Sequence, residues 1–350
     1  MFASNVLFST TSISSVRSPS YFARLPHFNA SDAPPSLFPP FASRKMAPEK
    51  KDFNQTVYNE DLSRDMEALI AIAIREDSQT DGDLTSLALI PDDVPGRAAV
   101  VAREAGVVAG LVFAERLIQM VDERLNWEGC VDDGTSVQRG DRLGVISGPT
   151  LAMLTAERLL LNLVGRLSGV ATAARRYVDA IAGLNANIYD TRKTTLGWRR
   201  LEKYAVRCGG ARNHRSGLYD AILIKDNHLA FGGITDFGPG EAVRRARKYL
   251  ETRFGTENTP MLEIEVDSLE QLAQVLPENP DVVLLDNMSP ETMREAVAMR
   301  DASGSTSELE ASGGVNLETV RAKAESGVER VSVGAITHSA RVLDIGLDWI

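Results

Sequence analysis

The chain has 350 residues, 43% of them hydrophobic and 25% charged, which is ordinary for a globular protein long enough for about two domains. Its formal net charge of -10 argues against general binding of nucleic acid, and no apolar run reaches the roughly 18 residues of a membrane-spanning helix. Two cysteines, Cys130 and Cys208, exclude a disulfide framework and leave oxygen atoms as the expected ligands of any metal.

The first 45 residues differ in composition from the rest of the chain. They are rich in Ser, Thr and Pro, they carry four basic residues, and Asp32 is their only acid. This composition is typical of an organelle transit peptide, and a disordered tail without targeting function is the alternative. We predict a transit peptide over residues 1–45, with a plastid as the destination ahead of a mitochondrion.

A small α/β domain is predicted over residues 46–165. The apolar spacing of Leu62, Met66, Leu69 and Ile70 indicates a helix, and short strands separated by glycine turns follow. A long helix is then predicted from Thr155, as its N-cap, to Ala182.

Two arginines, Arg158 and Arg166, interrupt the apolar face of that long helix. Taken by itself, each is more often a solvated or paired helix residue than part of a site. The helix pattern alone therefore assigns no function to either of them.

Residues 166–340 alternate short apolar strands with amphipathic helical segments. The strands are "ANIYD", "AILIKD", "MLEIEVD", "DVVLLDN", "ELEASGG" and "ERVSVGA", and a seventh is expected near Arg207–Asn213. This alternation predicts βαβ units and an incomplete (β/α) barrel, with a doubly wound sheet as the alternative. Against the alternative, "DTRKTTLG" stands where a dinucleotide-binding glycine fingerprint would follow the first strand. Residues 341–350 are expected to form a tail that packs back on the N-terminal domain.

Polar side chains stand at the end of almost every predicted barrel strand. One acid at a strand end is usually a helix cap, but a converging series indicates a site, because chemistry in such barrels gathers at the carboxyl ends of the strands. The residues in these positions are Asp190, Arg192, Lys193, Lys225, Glu265, Asp286, Ser312, Gly313, Gly314 and Gly334.

Two glycine-containing turns favour a phosphate site on the last two strands. "SGGVNLETV" and "VGAITHS" each lead from a strand into a helical segment, so backbone N–H groups can hold phosphate oxygens. Glu265 and Asp286 on neighbouring strands suit Mg²⁺, directly or through water, or sugar hydroxyls. A structural ion pair with Lys225 or Arg192 is the alternative for these acids.

The most basic stretch of this acidic chain lies between Arg192 and Arg215, with eight Lys or Arg and a single acid, Glu202. Together with Lys225 it predicts a cationic wall for a substrate that carries several negative charges. The side chains assigned to this wall are Arg192, Lys193, His214, Arg215 and Lys225.

Eight motifs follow one another along the chain. In order, they are "ERLLLNLVGRLSGVAT", "DTRKTT.G", "KYAVRCGGARNHRSGL", "ILIKDNH", "EIEVDS", "LLDNMSP", "EASGGV" and "VSVGAITHS". They closely resemble those of the quinolinate phosphoribosyltransferase family, over roughly residues 56 to 350. Leu196 stands where that family often has Pro, which leaves the geometry of the first barrel loop open.

The resemblance implies a fold, an assembly and a reaction. The fold is an N-terminal open α/β sandwich and a barrel of about seven strands, in a homodimer or a higher oligomer. The reaction takes quinolinate and 5-phosphoribosyl 1-pyrophosphate (PRPP), with Mg²⁺, to nicotinate mononucleotide, pyrophosphate and CO₂.

The resemblance also implies roles for individual residues. Lys193, Lys225, Glu265 and Asp286 would be catalytic, with the two acids attending the ribose and the metal. Arg158 would reach the neighbouring subunit's site. The remaining substrate-binding residues would be Arg192, His214, Arg215, Ser312, Gly313, Gly314 and Gly334.

Three other functions remain open from the sequence. A nicotinate phosphoribosyltransferase would bind one carboxylate and release no CO₂. An aldolase-type barrel would use Lys225 as a Schiff base, and a non-catalytic sensor would bind PRPP without turnover.

Overall fold

The computed structural model describes residues 51–232, 238–257 and 259–350, so the predicted transit peptide lies outside the described residues. The N-terminal part has a four-stranded antiparallel sheet, in which the last strand of the chain, β12 (Ile345–Trp349), lies at one edge in the order β12-β1-β5-β3, and a two-stranded sheet of β2 and β4. The elements up to residue 149 are α1 (Glu60–Ser78), α2 (Leu84–Leu89), β1 (Pro95–Ala102), β2 (Gly106–Val107), α3 (Ala114–Val121), β3 (Asn126–Gly129), β4 (Ser136–Val137) and β5 (Arg142–Pro149). A short 3-10 helix, Leu111–Phe113, precedes α3, and another, Leu276–Glu278, lies before β9 (Val282–Asp286).

The long helix α4 (Thr150–Ala180) begins five residues before the predicted start. Thr155 is not the N-cap, because it lies inside the helix and its hydroxyl donates to the Leu151 carbonyl at 3.1 Å. The strand β5 instead leads directly into α4 through Pro149. The predicted domain boundary between residues 165 and 166 falls within this helix.

The C-terminal part is a parallel sheet with the order β6-β11-β10-β9-β8-β7. Its strands are β6 (Asn187–Tyr189), β7 (Ala221–Ile224), β8 (Met261–Val266), β9 (Val282–Asp286), β10 (Glu308–Ser312) and β11 (Arg330–Ser332). The first strand lies beside the last, which is the neighbour relation of a barrel and not of a doubly wound sheet. Beyond β6, a parallel bridge joins Tyr189 to Arg212, in the region of the expected seventh strand.

Helices and turns follow the strands of this incomplete barrel. The helices are α5 (Arg199–Cys208), α6 (Asp226–Phe231), α7 (Pro239–Phe254), α8 (Leu269–Val275), α9 (Pro290–Ser303), α10 (Val320–Ala324) and α11 (Ala335–His338). Ser268 and Ser289 cap α8 and α9 by accepting from backbone N–H groups of the first turn. The chain is thus an α/β protein with an N-terminal α/β layer and a C-terminal incomplete barrel, as predicted.

The last strand, β12 (Ile345–Trp349), pairs antiparallel with β1, with Ala98 opposite Trp349. The segment before it crosses α4 at Gly169, where a Cβ would lie 1.8 Å from the Arg341 carbonyl oxygen. The absence of a side chain at Gly169 is therefore what allows this close approach. Among the described residues, no helix has the length and apolar character needed to cross a bilayer.

Candidate active site

The carboxyl ends of adjacent barrel strands bring most of the predicted site residues to one rim. Glu265 pairs in register with Leu284 of β9, and Ser312 with Asp286, so the ends of β8, β9 and β10 are neighbours. Lys225 directly follows β7, and Gly334 follows β11 by two residues. This is the arrangement that the pattern of strand ends predicted.

Lys225 forms an ion pair with Glu265, in which the ammonium contacts the carboxylate oxygen Oε2. The structural pairing that the sequence left open is thus present, but the lysine side chain remains 41% exposed and accessible to a ligand. Among the described residues, the Asp286 side chain has one hydrogen-bond donor, the neighbouring Asn287 amide, at 2.8 Å. The rim therefore offers one paired and one largely uncommitted carboxylate.

The glycine turn after β10 has a backbone that larger residues adopt poorly. Gly313 and Gly314 have φ values of 80° and 60°, and a Cβ at Gly313 would lie 2.1 Å from the Asn287 side-chain oxygen. At the next strand end, a Cβ on Gly334 would meet the Lys193 side chain at 3.2 Å. These turns leave backbone N–H groups accessible where side chains would otherwise stand.

Arg192 and Arg215 are close enough to repel each other, and neither forms an ion pair with any described residue. Burial, followed by the charge of Arg192, lowers the pKa of Arg215. The Arg192 Nε atom is buried without a hydrogen-bond partner, while Arg215 donates to the Ala221 carbonyl at 3.1 Å. Two adjacent guanidinium groups without a carboxylate partner form a site that an anionic ligand would complete.

His214 lies in the barrel interior and is only 5% exposed. Its Nδ1 accepts from the Arg215 N–H at 2.8 Å, and its Nε2 lies 3.0 Å from Glu263 Oε2 and 3.6 Å from Glu310 Oε1. Burial opposes protonation, but the two acids outweigh it and raise the pKa of His214. Both ring nitrogens therefore face protein groups, and the contact of His214 with a ligand stays a prediction.

Sequence reasoning missed Glu263 and Glu310, which are completely buried beside His214. Both carboxylates face the same nitrogen, His214 Nε2, and Glu310 also lies near the Ser332 hydroxyl. Burial and the charge of Glu263 raise the pKa of Glu310 to about 7. The signal was available in "EIE" of β8, because alternate residues of a strand share a face and Glu263 therefore points the same way as Glu265.

Not every cation of the basic stretch belongs to the rim. Lys203 is buried and its ammonium lies 2.5 Å from Asp190, whose carboxylate also accepts from Asn213 Nδ2 and His214 N at 2.8 Å. Burial raises the pKa of Asp190 and lowers that of Lys203, and the mutual attraction opposes both shifts. Lys203 therefore has a structural role, joining α5 to Asp190, and it is not available to an anionic ligand.

Arg158 is exposed on α4 and forms no hydrogen bond or ion pair with any described residue. Arg166 instead donates to the Ala340 and Thr337 carbonyls and to Glu202. The two arginines of the long helix thus differ: Arg166 is structural, while Arg158 is not brought into the site of its own subunit by any such contact.

An incomplete barrel with charged strand ends and glycine turns on its last two strands defines a barrel enzyme that handles phosphorylated, anionic ligands. Residues 83–168 match the family described as Quinolinate phosphoribosyl transferase, N-terminal domain, and residues 170–348 match its C-terminal domain. The chain belongs to the quinolinate phosphoribosyltransferase family, as its motifs predicted.

Similar proteins and structures cover most of the chain. The nicotinate-nucleotide pyrophosphorylase (carboxylating) of Mycobacterium leprae is 43% identical over 294 residues, 82% of this chain and 97% of the relative. A chloroplastic relative from Arabidopsis thaliana is 39% identical over 81% of this chain and 82% of its own. The structure of the nicotinate-nucleotide pyrophosphorylase from Francisella tularensis has a TM-score of 0.75 at 34% identity, over 85% of this chain and 100% of that one. Human nicotinic acid phosphoribosyltransferase, at 14% identity and a TM-score of 0.52, shares the fold alone.

Proposed function

We propose that the protein transfers the phosphoribosyl group of PRPP to quinolinate with decarboxylation, giving nicotinate mononucleotide, pyrophosphate and CO₂ for de novo NAD biosynthesis. The observation that carries this proposal is the pair Arg192 and Arg215, two adjacent guanidinium groups without a carboxylate partner among the described residues. A pyridine with two adjacent carboxylates supplies the charges that such a pair requires.

The reaction needs no protein nucleophile, because the pyridine nitrogen supplies its own lone pair. That nitrogen forms a bond to ribose C1 while the C1–oxygen bond breaks, and the electron pair leaves with pyrophosphate. The ring nitrogen is then positive, so the bond from C2 to its carboxylate breaks, CO₂ departs, and the electron pair left on C2 takes up a proton. Atoms and electrons balance without an added oxidant or reductant.

The residues of the rim match the charges that develop in this reaction. Lys193, Lys225 and the two arginines would meet negative charge on the carboxylates and the leaving group, while Glu265 and Asp286 would stand beside the sugar, where positive charge grows. Positioning and electrostatics then provide most of the rate enhancement. The 5-phosphate is held by the turn residues Ser312, Gly313, Gly314 and Gly334.

The donor set of the rim fits Mg²⁺, because Asp286 and Glu265 are hard oxygen ligands on neighbouring strands. Glu265 already contacts Lys225, so Asp286 is the freer of the two ligands. Bound there with the substrate, the ion would neutralise charge on the departing pyrophosphate.

The active unit is a homodimer in which Arg158 of one subunit enters the site of its neighbour. This assignment is supported by the exposure of Arg158 and by its lack of an ion pair with any described residue. An isologous dimer would give each site one such arginine.

The protein is imported into a plastid, with a mitochondrion as the alternative. The Ser-rich, acid-poor residues 1–45 support an organelle address. Relatives of both kinds exist: the Arabidopsis relative is chloroplastic, and a Nicotiana tabacum relative that is 36% identical is mitochondrial. Import of residues 1–60 fused to a fluorescent protein into isolated plastids and mitochondria would distinguish the two.

The test of the activity is incubation of the purified protein with quinolinate, PRPP and Mg²⁺, followed by measurement of nicotinate mononucleotide and CO₂ together. Equal release of both products is expected from quinolinate, and no product from nicotinate. Product from nicotinate without CO₂ would support the nicotinate-specific enzyme instead, and PRPP binding without turnover would support the sensor. Trapping of a carbonyl substrate on Lys225 by borohydride would support the aldolase.

A further inference from the structure

The segment Lys51–Thr56 closes the amino-terminal end of the barrel, opposite the rim that carries the site. Phe53 is only 4% exposed and packs in a cluster of its own with Tyr189, Ala221, Met261 and Val282. The last three of these are the first residues of β7, β8 and β9, so the phenyl ring fills the end of the barrel at which those strands begin. We call residues 51–56 the N-terminal plug.

Side-chain hydrogen bonds fix the plug to the barrel at several points. The Asp52 carboxylate accepts from the Tyr189 hydroxyl at 3.1 Å, from Arg212 at 3.0 Å and from Arg330 at 2.9 Å. The Gln55 side chain pairs with the Asn213 backbone in both directions, at 2.8 Å and 3.1 Å. A segment that only covered the surface would not require this number of specific partners.

Phe53 contacts the two chain segments from which the anion-binding arginines extend. Its ring stacks on the His214 imidazole, with centroids 4.2 Å apart and planes at 27°, and Arg215 is the next residue. The same ring meets Tyr189 edge-on at 6.4 Å, three residues before Arg192. Phe53 therefore lies between the two chain segments that carry the guanidinium groups of Arg192 and Arg215.

The stacking contact completes the enclosure of His214. The backbone N–H of His214 donates to Asp190 and its carbonyl accepts from Lys203, while Arg215 N and Glu263 face the two ring nitrogens. Phe53 covers the face of the ring, which hydrogen bonds leave free. Without the phenyl ring the imidazole could tilt. The hydrogen bond from the Arg215 backbone N–H to its Nδ1 would then shift the backbone of Arg215 as well.

We propose that Phe53, held by the N-terminal plug, is a positioning residue for the quinolinate site. It fixes His214 and Tyr189 and thereby sets the spacing of Arg192 and Arg215, on which the two substrate carboxylates bind. The inference rests on the proposed function. It also requires that any processing of the precursor ends before Lys51, which agrees with the predicted transit peptide over residues 1–45.

The consequence is a selective effect on one substrate. The groups assigned to the ribose and the 5-phosphate of PRPP, namely Glu265, Asp286 and the turn at Ser312, lie at the opposite end of β8, β9 and β10 from the phenyl ring. Loss of the ring should therefore weaken quinolinate binding and leave PRPP binding nearly unchanged.

The test compares Phe53→Leu with the wild-type full chain by measuring KM for quinolinate and KM for PRPP separately. Leucine fills most of the volume but does not stack, and we expect KM for quinolinate to rise about tenfold, an effect of about 1.4 kcal/mol. KM for PRPP should stay within about twofold of the wild-type value. Asp52→Asn, which weakens the anchor of the plug, should shift KM for quinolinate in the same direction by less.

Phe113→Leu is the matched control, because Phe113 is also buried, at 1% exposure, but lies before α3 in the N-terminal layer. It should lower the melting temperature without a selective rise in KM for quinolinate. An unchanged KM for quinolinate in Phe53→Leu, or equal rises for both substrates in both variants, would overturn the proposal. Failure of the wild-type protein to turn over quinolinate would overturn the proposed function. A wild-type protein that turns over quinolinate, with no selective effect in Phe53→Leu, would overturn only the role of Phe53.

Discussion

The Asp190–Lys203 ion pair fixes the base of the loop that carries Arg192. Both side chains are completely buried, and the Asp190 carboxylate also accepts from the N–H group of His214. A buried charge is tolerated only when it is paired and hydrogen-bonded, and Asp190 meets both conditions. The pair thus joins the end of β6 to the segment that carries Arg215.

Replacement of Lys203 by Met should destabilise the protein severely. The variant leaves the Asp190 carboxylate buried without its cation, which costs about 3–5 kcal/mol of unfolding free energy. Urea unfolding measures the loss. Arg200→Met is the control, because its ion pair with Asp65 is 3.4 Å long and 41% exposed on both sides, and should cost less than about 1 kcal/mol. Equal losses in the two variants would refute a special role for the buried pair.

The carboxyl group of Glu310 should make stability fall as pH rises toward neutrality. Burial and the charge of Glu263 raise its pKa from 4.5 to about 7, so the folded state binds a proton more tightly than the unfolded state. The resulting penalty is absent below about pH 4.5, grows between the two pKa values, and is fully present above about pH 7. His214 has a raised pKa and acts in the same direction, because its stabilising charge is lost as pH rises.

Glu310→Gln should therefore flatten this pH dependence. The neutral amide can donate to the Glu263 carboxylate, and we expect a gain of about 1–3 kcal/mol at pH 8 with little gain at pH 5. Chemical denaturation at both pH values measures the difference. Glu123→Gln, at an exposed position, is the control. A gain of the same size at pH 5 would show that packing, and not titration, is responsible.

The long helix α4 and the C-terminal tail depend on a close approach at Gly169. A methyl group there would lie 1.8 Å from the Arg341 carbonyl oxygen, so the tail must move away before an alanine can fit. Helix propensity favours Ala over Gly by about 1 kcal/mol, but the overlap with backbone atoms outweighs that gain.

Gly169→Ala should lower the unfolding free energy by about 1–3 kcal/mol and loosen the tail. Because Arg341 is exposed, the rate of tryptic cleavage after it reports the loosening directly. Gly129→Ala is the control, since its nearest neighbour, Trp127 Nε1, would be 3.6 Å from the new methyl group. A tail cleaved no faster than in the wild type would contradict the account of this contact.

Local sequence pattern was sufficient for the barrel strands but not for elements defined by distant partners. The six barrel strands were predicted because buried parallel strands are short apolar runs between helices. The strand β3 reads "NWEG" and is recognised only by its pairing with β5. The N-terminal plug shows no helical or strand periodicity of apolar residues. Its structure depends on contacts with residues more than 130 positions away.

The candidate site divides in the same way. Strand-end positions such as Lys225, Glu265 and Asp286 were predictable because topology alone brings the carboxyl ends of parallel strands together. The sequence could not separate Lys203, which forms a buried ion pair with Asp190, from the cations that remain available to a ligand. That distinction depends on burial, which appears only when α5 packs against the barrel.

The whole molecule is acidic, with a formal charge of -10, while its proposed substrates are anionic. The net charge of the protein therefore does not attract these substrates from a distance. At physiological salt, screening also limits the reach of each charge to about 8 Å. Binding must depend on cations placed at the site itself. An arginine contributed by a second subunit would add one, and Arg158 is available for this role.

Complementation between inactive subunits tests whether the site is shared. Arg158→Ala and Lys225→Ala should each be inactive, but a heterodimer would contain one site with both residues intact. Random exchange places half of the subunit pairs in heterodimers, and one of two sites works in each, so activity should return to about one quarter of the wild-type level. The control mixes Lys225→Ala with Glu265→Ala, which lie in the same barrel and leave every site defective. No recovery in the first mixture, despite subunit exchange demonstrated by mass spectrometry, would assign Arg158 to the surface of its own subunit.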